Sequence, residues 1–276
     1  MIGSCIILGA VFIALFAAVI SPHNPNALTL SFARKPPFSI DPKGNLYILG
    51  TDALGRDILS RIFYGARVSL TVGVVAVLLS SLIGVPLGLL SGYRGGVTDA
   101  IIMRLADVQL AIPGLLLAIA LLSALGSRSG SGQVGSIITV IGVLGFTGWV
   151  GYARIVRGQV LSLRQLPFVE AARAAGASDY SIIVRHILRN AWTPIIVVAT
   201  QNVGGVIIAE SSLTFLGIGV PRTTPTWGTM IADGRNYLDT APWIATAPGA
   251  ALTIFVLAVY FFGDGLRDIL DPRLRL

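Results

Sequence analysis

Cysteine, histidine and lysine are almost missing from this chain of 276 residues, and charge of either sign is scarce. Cys5 is the only cysteine, which excludes an intrachain disulfide and a thiolate metal cluster. A lone cysteine in an apolar run behaves as a small buried hydrophobe. His23 and His186 are the only histidines, too few for a histidine-based metal or acid/base centre. No Gly-rich loop closes on Gly-Lys-Ser/Thr, so no nucleotide site of that kind is readable. Nor do a nucleophile, a base and an orienting acid assemble, so neither catalytic nor metal-ligating residues are assigned. Charged residues make up only 12% of the chain, where a soluble domain carries roughly a quarter.

Apolar sequence takes their place. The chain is 54% hydrophobic with a mean hydropathy of +0.80, and the bilayer is its expected solvent. Runs long enough to cross a hydrocarbon layer of about 30 Å lie near 2–20, 68–90, 101–125, 136–156, 191–216 and 243–262. The expected fold is an all-α integral membrane protein with six transmembrane helices. The first run has no basic residue ahead of Ile2 and no compelling cleavage site before Ser21, so it reads as a retained helix rather than a signal peptide. The net charge of +7 is carried almost wholly by arginine, spread along the chain. That spread fits the positive-inside rule better than nucleic-acid binding, and it places both termini on the cytoplasmic side.

Between the runs, polar residues mark organisation. Residues 1–64 read as the first span with an external loop, in which Asp52 is positioned as an N-cap, and 65–276 as the core. Gly73, Gly84 and Gly88 in the second run allow close helix approach, and Pro86 predicts a kink. Arg104 and Asp107, three residues apart, are expected to pair at headgroup level, with Pro113-Gly114 inside the same run. Gly142, Gly145, Gly148 and Gly151 suggest a packing face, with Trp149 and Tyr152 as interfacial anchors. Gly126 to Gly135 reads as a flexible loop. Gln201, Asn202 and Glu210 are costly in hydrocarbon and should face protein or a water-filled path. Residues 217–243 suggest a compact external loop with a re-entrant or surface helix, and Asp264 and Arg267 a local ion pair.

The segment from about 157 to 190 is the polar exception. Glu170 to Ala175 is strong helix-forming sequence broken at Gly176, after which Ser178 or Asp179 can cap a second helix towards His186 and Leu188. Two short helices between the fourth and fifth spans would project from the membrane. Small Ala side chains suit a partner's groove, and Glu170 and Arg173 can make directional contacts there. From the residues alone, the reading is a membrane protein with a cytoplasmic partner. A stand-alone secondary transporter or channel, using Gln201, Asn202 and Glu210 as selectivity groups, stays open beside it, and an intramembrane enzyme is the weakest reading.

These residues also resemble the permease subunits of bacterial ABC importers, in their dipeptide, oligopeptide and nickel branch. The family's Glu-Ala-Ala-three-residues-Gly motif matches Glu170 to Gly176, followed by Ile187-Leu188. Three further blocks match: Thr51 to Asp57 with Ser60-Arg61 and Gly65-Ala66-Arg67; Glu210 to Gly217 with Trp227-Gly228; and Gly263 to Asp268 with Asp271-Pro272. Arg189 stands where the family usually has Pro, a departure that bears on how the second helix ends. The resemblance implies a type I ABC importer transmembrane domain in the cell inner membrane, binding no cofactor itself and no nucleic acid. It implies a second homologous permease, one or two kinds of cytoplasmic ATPase holding ATP and Mg, and a periplasmic or lipid-anchored solute-binding protein. It implies ATPase coupling through Glu170, Ala171, Ala172, Arg173, Ala175 and Gly176, and a translocation path or gate at Gln201, Asn202 and Glu210. Asp52, Arg56, Asp57, Arg61 and Arg67 would receive the external protein or brace the entrance. The implied cargo is di- or oligopeptide, with nickel or another small solute left open.

Overall fold

The computed structural model describes residues 2–126 and 132–270. Asp271-Pro272 of the last sequence block and most of the Gly126 to Gly135 loop lie outside the described residues. Helices dominate for a physical reason: in hydrocarbon every backbone N–H and C=O must be satisfied within its own segment. Helix α1 spans Ile2–Ile20, about the length needed to cross the bilayer at 1.5 Å per residue. A polar loop follows, holding a two-stranded antiparallel hairpin of β1 (Ser39–Ile40) and β2 (Leu46–Tyr47) in the register Ser39 to Tyr47. Then come α2 (Ile58–Arg94), α3 (Gly96–Leu110), α4 (Gly114–Gly126), α5 (Gln133–Leu163), α6 (Pro167–Ala174) and α7 (Asp179–Ser181). A π-helical stretch, Ile182–Leu188, joins α7 to α8 (Arg189–Phe215), followed by α9 (Trp227–Gly234) and α10 (Trp243–Leu270).

Among the described residues, five continuous helices are long and apolar enough to span a membrane, and α3 with α4 makes a sixth if that pair counts as one span. The third apolar run is therefore not one straight helix: its halves are bent by 86° around residues 111–113, where Pro113 cannot donate a backbone hydrogen bond. The fifth span also differs from expectation. The predicted second short helix does not end near Leu188 but runs on as the root of α8, making one helical rod from Asp179 to Phe215. Arg189 supplies the backbone N–H that a proline would lack.

The pair α2 and α5 forms the spine. Gly84, Gly88 and Gly92 let α2 lie directly on Trp149, Ala153, Val156 and Val160 of α5. Lipid offers no hydrophobic gain for such contacts, so backbone proximity and packing must hold them. On α5 the predicted glycine face divides: Gly145 and Gly148 meet Leu79 and Ser80 of α2, while Gly142 and Gly151 face open space. Trp149 and Tyr152 are not interfacial anchors but buried, at 7% and 2% exposure, and the Trp149 indole donates to Gln109 at 2.8 Å.

Several predicted local pairs are replaced by distant ones. Asp107 pairs with Arg154 of α5 rather than with Arg104. Asp264 accepts from Gln201 at 3.0 Å rather than pairing with Arg267. Asp57, not Asp52, caps α2, accepting from the Ser60 amide; Asp52 instead closes its own turn, accepting the amides of Leu54 and Arg56 at 2.9 Å. Residues 217–243 do carry a short helix, α9, opened by a Thr226/Thr229 capping box and largely buried. Gly3 of α1 lies against Ala258 and Phe262 of α10, so the start of α1 and the end of α10 share the end of the bundle that carries α6.

Candidate functional site

At that end, α6 is built to be presented. Pro167 occupies its first turn, where its missing N–H costs nothing. The helix closes with paired bonds from Gly176 N to Arg173 O and from Ala177 N to Ala172 O, both 3.0 Å, the Schellman arrangement. This closure needs Gly176 in the left-handed region at φ +81°. Nothing surrounds a Cβ there, so conformation alone calls for glycine. Ser178 then caps α7, accepting from the Ser181 amide at 3.3 Å.

The predicted coupling residues divide by face. Glu170, Ala171, Arg173 and Ala175 are exposed, whereas Ala172 turns inwards to an apolar cluster that includes fully buried Val156, Val169, Ile182 and Ile187. Ile182 and Ile187 share that face because a π turn brings residues five apart into line. The segment is also tied to the spine by polar bonds. The Tyr93 hydroxyl, one residue from the end of α2, donates to Asp179 Oδ1 at 2.6 Å. Arg173 bonds to the same tyrosine, which pushes its guanidinium pKa up, helped by the nearby charges of Asp179 and Glu170. Arg164 donates to the carbonyl of Gly92 at 3.0 Å. Arg157 grips Asp99 with two bonds of 2.6 Å, and Asp99 also accepts from Ser91. Thus α2, α3, α5, α6 and α7 meet in one hydrogen-bonded frame. The site roles of Tyr93, Asp99 and Arg157 were missed from sequence, and Asp179 was read only as a possible cap, because their partners lie 58 to 86 residues away.

Deeper in the bundle, α2, α4, α5 and α8 enclose a cavity of about 400 Å³ whose wall is mostly apolar, with Ser80, Thr147, Tyr152 and Asn202 as its polar residues. Of the three predicted path residues only Asn202 lines it. Gln201 points to Asp264. Glu210 is fully buried, accepting from Thr214 at 2.9 Å and from Ser69 and Ser211 at 3.4 Å. Thr214 in turn accepts the Val220 amide at 3.1 Å, so Glu210 braces the turn after α8.

The five predicted external residues are likewise internal fastenings. Arg56 bonds to Asp52 at 2.6 Å and to Asp233 of α9 at 3.2 Å, and Arg61 lies 3.7 and 3.9 Å from the same carboxylates. Asp233 was not foreseen; it stands 177 residues from Arg56. Arg67 donates to the carbonyls of Ala14 and Leu15, both at 2.9 Å, pinning α1 to α2. Beside this network, Leu54, Arg56, Arg222, Asp233, Asn236 and Tyr237 border a pocket of about 360 Å³.

Residues 84–276 match the family model described as "Binding-protein-dependent transport system inner membrane component". The di/tripeptide transport system permease protein DppC of Pseudomonas aeruginosa is 40% identical, over 96% of this chain and 85% of its own length. The glutathione transport system permease protein GsiD of Pectobacterium atrosepticum is 44% identical, over 82% of this chain and 73% of its own. Among solved structures, an inward-facing MetNI methionine ABC transporter superposes with a TM-score of 0.60 at 19% identity, covering 76% of this chain and 96% of that one. A crystal structure of an amino acid ABC transporter with histidines gives 0.59 at 13% identity, covering 77% and 95%. At such identities the structures support the fold alone.

Proposed function

The chain belongs to the family of binding-protein-dependent transport system inner membrane components, and from that premise we propose that it forms half of a translocation path for ATP-driven uptake of di- or oligopeptides. It is a multi-pass permease subunit of an ABC importer. Its working partners are a second, homologous permease, one or two kinds of ATPase, and a solute-binding protein on the outer side. Peptide cargo is favoured by the names of its relatives, a di/tripeptide and a glutathione permease among them.

The observation that carries the reading is the exposed α6 fastened to the helices that line the large cavity. Glu170, Ala171, Arg173 and Ala175 offer the face that an ATPase groove receives, while Ala172 and Gly176 set the shape of the segment. The rooted side of α6 passes movement to α2 through Tyr93 and to α8 through the continuous rod. Closure of the ATPases on ATP would then shift α2, α5 and α8 relative to one another and change access to the cavity. Asn202 contacts cargo there, Gln201 ties α8 to α10 through Asp264, and Glu210 holds the outer gate in shape. The α6 end and both chain termini face the cytoplasm, in line with Arg94, Arg104, Arg154, Arg157, Arg164, Arg173, Arg185 and Arg189 gathering at that end. At the opposite end Asp52, Arg56, Asp57, Arg61 and Arg67 brace the platform on which the solute-binding protein sits.

Purification in mild detergent from the native cells tests this. A second permease and an ATPase should accompany the chain, and the reconstituted complex should take up labelled dipeptide on ATP. Recovery of the chain alone, transporting when reconstituted by itself, would overturn the proposal in favour of a stand-alone transporter. Nickel uptake without dipeptide uptake would overturn the cargo assignment.

A further inference from the structure

The loop between α1 and α2 encloses a separate cavity of about 330 Å³, remote from the one lined by Asn202 and bordered by His23, Thr29, Phe32, Asp41, Tyr47 and Asp57 among others. Asp57 is only 2% exposed. Its Oδ2 accepts the amide of Ser60 at 2.9 Å and the Ser60 hydroxyl, and Nδ1 of His23 lies 3.4 Å from the same oxygen. Its Oδ1 is buried and finds no hydrogen-bond partner among the described residues. A carboxylate oxygen taken out of water in this way calls for a donor.

A second carboxylate supports the first. Asp41 accepts the amides of Lys43 and Asn45 and the Asn45 side chain, all between 2.8 and 2.9 Å. Those bonds, the Asn45 side chain foremost, hold its pKa below the ordinary carboxylate value and keep it charged at neutral pH. Tyr47 stands between the two acids: burial first, then the charges of Asp41 and Asp57, push its hydroxyl pKa up. Its ring stacks on His23 at 4.5 Å and tilts against Phe32 at 5.2 Å, giving the cavity an aromatic side. The opposing positive charges are Lys43, exposed at the rim, and Lys35, whose ammonium lies 5.7 Å from the Phe32 ring centre.

Two carboxylates beside aromatic faces suit a cation that binds by hydrogen bonds and ring contact. Among the described residues no three carboxylate, imidazole or thiol groups come together as a metal site. We propose that this cavity binds a primary ammonium group, with Asp57 Oδ1 as its main acceptor, Asp41 adding negative potential and the aromatic side packing the carbon next to the nitrogen. The ammonium belongs either to a small free amine or to a lysine side chain of a protein docked on this face. The lysine source rests on the transport reading, which supplies the docked solute-binding protein, whereas the free amine does not.

The test uses the full chain in lipid nanodiscs with n-propylammonium as probe and n-propanol as its uncharged shape control, read by saturation-transfer NMR. Propylammonium should show saturable binding and propanol none. Asp57→Asn preserves a good N-cap and should weaken binding about tenfold, as loss of a charge-assisted bond implies. Lys43→Ala, at an exposed rim position and keeping the backbone amide that Asp41 accepts, should strengthen binding about twofold by removing a like charge. Equal binding of propanol, or unchanged affinity in Asp57→Asn, overturns the proposal. Should Asp57→Asn misfold, unchanged or weaker binding in Lys43→Ala does the same. Where the Asp57 dependence holds, adding the purified solute-binding protein sorts the source: a lost probe signal assigns a lysine of that protein, and a retained signal assigns a free amine.

Discussion

Gly88→Ala is the sharpest perturbation of the spine. A Cβ at Gly88 would stand 2.6 Å from the Ala153 carbonyl oxygen and 2.8 Å from Val156 Cβ. One obstacle is backbone and the other a side-chain root, so neither can rotate away, and α2 and α5 must separate. Overpacking of this kind costs about 1–3 kcal/mol. Alanine also raises helix propensity by about 0.5–1 kcal/mol over glycine, which masks part of the loss. Gly142→Ala on α5 cancels that term, because nothing lies within 4 Å of its added Cβ. The difference between the two variants therefore isolates the steric cost, expected at about 1–3 kcal/mol, or roughly 5- to 150-fold in the folding equilibrium. Unfolding in mixed detergent micelles, followed by far-ultraviolet circular dichroism, measures it. Equal midpoints for Gly88→Ala and Gly142→Ala would refute the claim that α2 and α5 are held by backbone proximity.

Further outcomes follow from the coupling end and the buried carboxylate. Gly176→Val forces a β-branched residue into the left-handed region at a cost of about 1–3 kcal/mol, and should reduce copurification of the ATPase while the spans keep their helicity. Ala175→Arg, on the exposed face, should release the ATPase with an unchanged melting midpoint, whereas Ala172→Arg should lower the midpoint first; equal melting of the two would contradict the division of faces. Tyr93→Phe removes the hydroxyl that bonds both Asp179 and Arg173, each bond worth about 1 kcal/mol, and should leave the ATPase bound while cargo-stimulated hydrolysis falls severalfold; full stimulation would take Tyr93 out of the transmission route. Glu210→Ala strips the acceptor from the surrounding hydroxyls and should destabilise by roughly 2–4 kcal/mol, with Glu210→Gln recovering much of it in the same melt.

The spans were legible because a run of about twenty apolar residues has few alternatives in a bilayer. The α6 turn was legible because glycine and serine act locally, through conformation and capping, within three residues of where they stand. What could not be read were pairings across the fold. Arg104 is the nearest cation to Asp107 along the chain, yet Arg154 takes that carboxylate from α5, since tertiary packing decides which helix faces which. The same holds for Asp233 and for Trp149, whose polar atom finds Gln109 inside the bundle instead of the headgroup zone. Pro113 was read as lying inside a single span, and the 86° turn there leaves α4 packed on Val140, Val143 and Leu144 of α5, a tertiary contact that the apolar run does not reveal.

The π-helical stretch Ile182–Leu188 gives residue number a geometric meaning. An α-helix advances about 100° per residue, and a π turn absorbs one residue more than an α turn. Shortening this stretch by one residue would restore α geometry and leave α6 in nearly its present phase around the axis of α8, because the extra residue is what the π turn absorbs, whereas removing one residue from the α-helical part of α8 would swing α6 by about 100°. The angle between the docking face and the wall of the large cavity is thus insulated from the loss of one residue at this stretch, while along α8 itself a deletion rewrites it and a point substitution does not.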